Sequence, residues 1–430
     1  MQGDSKKHIR KISFDILYDV FFDKKLLNVA IDEKFNSIKL DDADKSYVRY
    51  ECAGVIEKID EIDAVIKKFS KVKLEKLDRA VLLTLRIGIF ELEFMDKVPS
   101  FATINELVDI VKTQSKAKGK VNSSFVNAIL RNVDRDIKSD KTDKKDDLGQ
   151  HKKSDYFTSK NCYFRIYNDA EEKVLAELDD KNIEYKPYDG AFTFNYAKVY
   201  KVNKYKDVLS LDNFRDGNIL ISDASSIYLT DKLAYFIKER NKKSDATISM
   251  MKLLDVCASP GGKILGLIDL IYDDFYYFYA EARDISESKI LKICENINRL
   301  KVLDLNMLVK DASIYDELDK EKYDVVICDV PCSGLGVVEK KPDIKLNFTK
   351  EKMSTLINLQ SKILDVSSKY VKPSGIISYS TCTTTYEENE DIVNKFLKAN
   401  VDFEKIYEKR IDIGDENKAD GFYMCFMKKL

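Results

Sequence analysis

Apolar positions recur at two different periods along this chain, and the change of period divides it. From the amino terminus to about residue 135 they return every three to four residues, the spacing of one face of a helix. The run Val81, Leu82, Leu85, Ile87, Ile89, Leu92 and Phe94 is crowded enough to predict a helix near the centre of a bundle. Pro99 punctuates, an amphipathic run follows from Ile104 to Val111, and another takes in Val121, Phe125, Ala128, Ile129 and Val133. Residues 1–135 hold a single proline and read as an all-helical domain.

The texture then breaks. Residues 136–161, DIKSDKTDKKDDLGQHKKSDYFTSKN, are charged and almost free of aliphatic side chains, so they predict a mobile tether. From Cys162, CYFRIY reads as a strand, EEKVLAELDDKN as a helix and FTFNYAKVYKV as a strand, a small α+β module over 162–220. In the remaining part, 221–430, the short apolar runs MKLLDV, FYYFYAEA, NMLVKD, DVVICDV and GIISYSTC alternate with helical patterns such as ISESKILKICENINRL. Strands buried on both faces look like this, and their alternation with helices predicts a parallel, doubly wound, Rossmann-like α/β sheet.

Composition narrows the classes. With 430 residues and 44% apolar side chains, the chain is too apolar for disorder and long enough for two or three domains. No apolar run approaches the ~20 residues that span a bilayer, and MQGDSKKHIRKISF does not read as a secretory signal. Eight widely spaced cysteines argue for a reducing cytoplasm rather than a disulfide framework. The two histidines, His8 and His151, sit in polar stretches, which disfavours histidine catalysis and metal. A net charge of −2 means that nucleic acid would be met by local patches; Lys112, Lys116, Lys118 and Lys120 form one candidate.

Candidate chemistry gathers at strand ends. Asp255-Val256-Cys257-Ala258-Ser259-Pro260-Gly261-Gly262-Lys263 stands where a buried strand gives way to a helix, the place where open α/β sheets bind nucleotide-like ligands. Adjacent glycines let a ligand approach the backbone at a helix start, although two glycines alone more often make a tight turn. Asp284 lies 22 residues beyond Gly262, near the ~20-residue offset of a ribose-binding carboxylate, and it could equally cap the next helix. Asp311 follows the run MLV in the same manner. Two further clusters, Asp329-Val330-Pro331-Cys332-Ser333-Gly334 and Tyr379-Ser380-Thr381-Cys382, each put a cysteine just after a strand. Buried cysteines are usually small hydrophobes, the reading for Cys294, Cys328 and Cys425. A charge at Asp329, where a buried strand should still be apolar, points to function. Thr385-Tyr386-Glu387-Glu388 reads as a capping box that starts a helix, with structural glutamates.

Taken together, DVCASPGGK, DVPCSGLGVVEKKPDIK and YSTCTTTYEENE resemble the cofactor loop, substrate loop and nucleophile motif of the RNA cytosine-5 methyltransferases that use S-adenosyl-L-methionine. VPSFATINELVDIVK and FVNAILRNV resemble the NusB-like signature, so the chain is, more closely, similar to the bacterial 16S rRNA methyltransferases of the RsmB/Sun type, in which a NusB-like domain precedes the catalytic one. FRDGNILISDASS and DGFYMCFMKK extend the likeness over nearly the whole chain, and Leu346 departs from it, standing where the family commonly has tryptophan.

The resemblance implies cofactor contacts at Cys257, Ala258, Ser259, Pro260, Gly261, Gly262, Lys263, Asp284, Asp311 and Asp329. It assigns the nucleophile to Cys382, with Cys332 in the release step and Asp329 stabilising the base. The implied partner is RNA, small-subunit rRNA above all, with no metal, no membrane, and a monomeric cytoplasmic enzyme. A DNA cytosine-5 enzyme would use the Pro-Cys thiol, Cys332, and Thr381-Cys382 argues against that reading. A non-enzymatic RNA-binding factor built on the first domain would not need the intact clusters, and a tRNA target would leave the catalytic core looking the same.

Overall fold

The computed structural model describes residues 5–95, 98–114, 119–143, 162–167, 169–243, 250–275, 277–302, 305–414, 416 and 418–430. The chain forms two compact units: residues 1–159 with 338–347, and residues 160–337 with 348–430.

The first unit is helical: α1 (Ser5–Phe22), α2 (Leu27–Ser37), α3 (Asp42–Glu57), α4 (Ile59–Phe69), α5 (Arg79–Phe94), α6 (Ser100–Gln114) and α7 (Gly119–Asp143). The helix predicted at its centre is α5. Asp78 caps it by accepting from the N–H groups of Ala80 and Val81, and Leu83, Leu85, Ile87, Ile89 and Phe90 are wholly buried. Gly88 gives α7 room, since a Cβ there would lie 2.7 Å from Leu130. Burying Glu91 among these side chains would be costly without partners. Arg10 donates to it at 2.6 Å and Tyr47 at 2.8 Å, and Thr103 adds a third bond. α7 runs eight residues into the stretch read as a tether, through Asp143; residues 144–161 lie outside the described residues.

The second unit holds two sheets. β1 (Cys162–Ile166), β2 (Tyr185–Pro187), β3 (Val199–Val202) and β4 (Ile219–Ile221) make an antiparallel sheet in the order β2-β3-β1-β4, with α8 (Glu171–Asp180), α9 (Tyr205–Leu209) and α10 (Asp212–Arg215). This is the predicted α+β module, although FTFNYAKVYKV is strand only at its end. α11 (Ala224–Lys243) leads to the large sheet: β5 (Met250–Asp255), α12 (Gly262–Ile271), β6 (Tyr277–Asp284), α13 (Glu287–Leu300), β7 (Leu305–Val309) and β8 (Tyr323–Asp329). Next comes α14 (Asp343–Asn347), in the segment that belongs to the first unit, and then α15 (Lys350–Ser368), β9 (Val371–Thr381), α16 (Glu390–Ala399), β10 (Phe403–Ile411) and β11 (Phe422–Lys429). The small sheet is tied to α12 through Arg165, buried to 1% exposure, which donates to the Gly266 carbonyl at 2.7 Å and pairs with Asp269.

The large sheet runs β10-β11-β9-β8-β5-β6-β7. β9, β8, β5, β6 and β7 are parallel, as the continuous apolar runs predict, and Val325, Val326, Ile327 and Cys328 of β8 are fully buried. The sheet is not wholly parallel. β11 returns antiparallel to β9 and β10 antiparallel to β11, because the carboxyl-terminal hairpin needs no crossover helix. In the first unit, Asp343 of α14 accepts from the Leu27 N–H at 2.9 Å, so it satisfies an unpaired donor at the start of α2, and Leu346 packs against the helical core. No described helix is long and apolar enough to cross a membrane.

Candidate active site

The parallel strands reverse their order between β5 and β8, which open their carboxyl ends onto one crevice. Asp255 ends β5 opposite Ile327, and Asp329 ends β8 opposite Ser380 of β9. Register alone therefore brings three of the sequence clusters together.

Around Asp329 the polar groups are closely knit. Ser380 Oγ donates to its Oδ1 at 2.8 Å, and the Lys263 ammonium, from the first turn of α12, pairs with Oδ2. Burial works against the Lys263 charge, but Asp329 more than offsets it and holds the ammonium pKa above its usual value. Asp255 has no such partner. Burial first, and the charge of Asp329 second, push its carboxyl up to about 8. Its Oδ1 accepts from the Cys257 N–H at 3.2 Å, whereas Oδ2 is buried with no hydrogen-bond partner.

The loop after β5 is shaped by glycine. Gly261 adopts φ +99°, in the left-handed region, and Gly262 opens α12 with nothing within 4 Å of where a Cβ would stand. The loop is tethered from β6 by Asp284, whose Oδ2 accepts from the Ser259 N–H at 3.0 Å, while Lys289 pairs with Oδ1 at 2.9 Å. The residue that precedes α13 is Ser286 rather than Asp284, so capping is not the task of this carboxylate. Asp311 follows β7, and the Ser313 N–H holds its carboxyl below the usual range. Cys257 lies on the same loop, where burial raises its thiol pKa.

The two cysteines meet. Cys332 Sγ and Cys382 Sγ lie 3.1 Å apart, although 50 residues separate them. The hydrogen bond to Cys382, followed by burial, raises the Cys332 pKa well above that of a free thiol. Backbone bonds brace the approach, with the Gly336 N–H on the Cys382 carbonyl at 3.0 Å and the Gly421 N–H on the Gly336 carbonyl at 2.9 Å. Among the described residues no group of His, Cys, Asp and Glu could hold a metal ion.

Sequence reasoning missed Gln360 and Asn389 altogether, and named Ser380 and Glu388 without the contacts they make here. The capping-box reading of Thr385 to Glu388 is incorrect. α16 begins later, at Glu390 after Asn389, and the Glu388 side chain turns inward to the Cys332 loop, where Ser333 donates to it twice. A glutamate followed by asparagine before an amphipathic helix gives no signal of this, because its partners lie far away in sequence.

Residues 246–426 match the family model for 16S rRNA methyltransferase RsmB/F, and residues 7–135 match the NusB family. The chain is 25% identical to the probable ribosomal RNA small subunit methyltransferase B of Bacillus subtilis (strain 168), with 99% of each chain covered. It is 24% identical to the ribosomal RNA small subunit methyltransferase B of Proteus mirabilis (strain HI4320), with 98% of this chain and 99% of that one covered. Among solved structures, that of PH0851 shares the fold, with a TM-score of 0.68 at 19% identity over 97% of this chain and 98% of that one.

Proposed function

We propose that this chain, in which residues 246–426 match the RsmB/F methyltransferase model and residues 7–135 match the NusB family, transfers a methyl group from S-adenosyl-L-methionine to C5 of a cytosine in the 16S rRNA of the small ribosomal subunit. The observation that carries the reading is the pair of thiols 3.1 Å apart beside Asp329 at the strand-order reversal. The helical domain serves as an RNA-binding module.

The residues of the β5 loop suit such a cofactor. A cationic ligand would satisfy the unpartnered Asp255 oxygen, the open side of Gly262 admits a ligand to the start of α12, and Asp284 stands at the end of the adjoining strand as a ribose partner. When bound, S-adenosylmethionine supplies an electrophilic methyl group.

The remaining chemistry falls to this chain. C5 of cytosine is a poor nucleophile until something adds at C6, and the Cys382 thiolate is suited to that addition. Asp329 accepts from the amino group of the base, and the Lys263 ammonium paired with it stabilises the charge that develops, while Ser380 fixes its orientation. Two thiols this close do not ionise together, and the raised pKa of Cys332 keeps the proton on Cys332. Once Cys382 is bonded to C6, Cys332 gives its proton to solvent, and the Cys332 thiolate takes the C5 proton, whose electron pair closes the C5–C6 double bond and expels Cys382 as the thiolate. The target base must leave its stack to reach the crevice.

Bisulfite sequencing of RNA from a strain lacking this chain tests the assignment. Loss of one 5-methylcytosine in 16S rRNA, restored by the wild type and not by Cys382→Ser, is the expected result. Loss at a tRNA position instead would move the substrate.

A further inference from the structure

We infer that Glu388 is a positioning residue for the release step: it holds the Cys332 loop against the end of β9 and so sets the spacing of the two thiols. The inference rests on the division of labour proposed above for Cys332 and Cys382.

Four hydrogen bonds converge on this one carboxylate, whose residue has no exposed surface. Oε1 accepts from the Ser333 N–H at 2.8 Å and from Gln360 Nε2 at 2.9 Å. Oε2 accepts from Ser333 Oγ at 2.6 Å and from Thr385 Oγ1 at 2.8 Å. The same Gln360 amide donates to the Pro331 carbonyl at 2.9 Å. The peptide groups on both sides of Cys332 are therefore held, one by Gln360 and the other by Glu388. Ser333 Oγ and Thr383 Oγ1, on the residues that follow the two cysteines, lie 2.9 Å apart.

The adjoining residue holds the other cysteine. Asn389 Nδ2 donates to the Thr383 carbonyl at 3.0 Å, and its Oδ1 accepts from Thr381 Oγ1 at 2.6 Å, so the residues either side of Cys382 are fixed as well. Tyr379 of β9 ties down the link between the two clamps by donating to the Glu388 carbonyl at 2.6 Å. One dipeptide thus governs both thiols. Burying a carboxylate is expensive, and an apolar residue of that size would fill the same space without the cost. What the carboxylate adds is a fixed geometry for Ser333 and, through it, for Cys332.

Glu388→Gln keeps the volume and replaces one acceptor oxygen by a donor, which cannot accept from the Ser333 hydroxyl or the Thr385 hydroxyl. Glu388→Ala removes all four bonds. Full-length variants, checked for folding by their melting curves, are mixed with cofactor and substrate RNA, and adduct formation and release are timed separately on denaturing gels. Cys332→Ser runs alongside. Both Glu388 variants should form the Cys382 adduct at close to the wild-type rate and release methylated RNA about 100-fold more slowly, the loss expected for a displacement of about 1 Å at a reacting group. Wild-type release in folded Glu388→Gln, while Cys332→Ser stalls, would overturn the role of Glu388 alone. An equal loss of adduct formation and release would also overturn it, since that marks a support for the whole site. Normal release by Cys332→Ser would remove the proposed role of Cys332, and this inference with it.

Discussion

Asp284, the last residue of β6, accepts a hydrogen bond from the backbone N–H of Ser259 at 3.0 Å, so a side chain on one strand end fixes the loop that follows another. Carboxylate and glycine loop thus stand together at the carboxyl ends of adjoining strands. Asp284 also accepts from the Ile285 N–H at 2.8 Å, which fixes the direction of the carboxylate itself.

If this carboxylate meets the cofactor's ribose and steadies the loop beneath it, Asp284→Ala should weaken S-adenosylmethionine binding by about 1–3 kcal/mol, the loss of hydrogen bonds to a charged group. Titration calorimetry reads this directly. Unchanged affinity would remove Asp284 from the site.

Asp255 makes a separate prediction, about pH. Its carboxyl is raised to about 8 in the folded chain, against about 3.9 for an unperturbed aspartate. Between those values the folded state keeps a proton that the unfolded chain has released, so this group makes stability fall as pH rises, by up to about 1.4 kcal/mol per pH unit. Asp255→Asn lacks the titration. Its stability relative to wild type should grow from about pH 4 to 8 and level off above. Denaturant unfolding at a series of pH values checks this, and a pH-independent difference would show that burial does not hold Asp255 protonated.

Lys112, Lys116, Lys118 and Lys120 make a prediction about RNA. Lys112 pairs with Asp109 at 2.8 Å on an exposed face, and the side chains of the other three lie outside the described residues. Changing all four to glutamine should lower RNA affinity and flatten the logarithmic salt dependence by about three, the release expected for four single-strand phosphate contacts. Cofactor affinity should not change. An identical salt slope would place the phosphate contacts elsewhere.

Local pattern made much of this protein legible, and distance in sequence hid the rest. α5 could be read because its apolar residues crowd every face, and the parallel strands because they are buried on both sides. The candidate clusters were visible because strand-end turns place Asp329, Cys332 and Cys382 among glycine and polar neighbours. The antiparallel β10–β11 hairpin was not predicted, since β10 alternates with exposed charges at the sheet edge. Glu388 was misread for a different reason. Thr385 three residues before it satisfies the capping pattern, whereas Ser333 and Gln360, which determine its task, come from a loop and a helix 55 and 28 residues away.

The central claim is that the two thiols 3.1 Å apart do different work, with Cys382 attacking C6 and Cys332 enabling release. Denaturing gels of cysteine variants incubated with cofactor and substrate RNA test it most directly. Cys332→Ser should accumulate a methylated RNA–protein adduct that survives denaturation, and Cys382→Ser should form none and methylate nothing. Wild type should be trapped on RNA carrying 5-fluorocytidine, because fluorine at C5 cannot leave as a proton does. An adduct with Cys382→Ser and none with Cys332→Ser would contradict the account and make Cys332 the nucleophile.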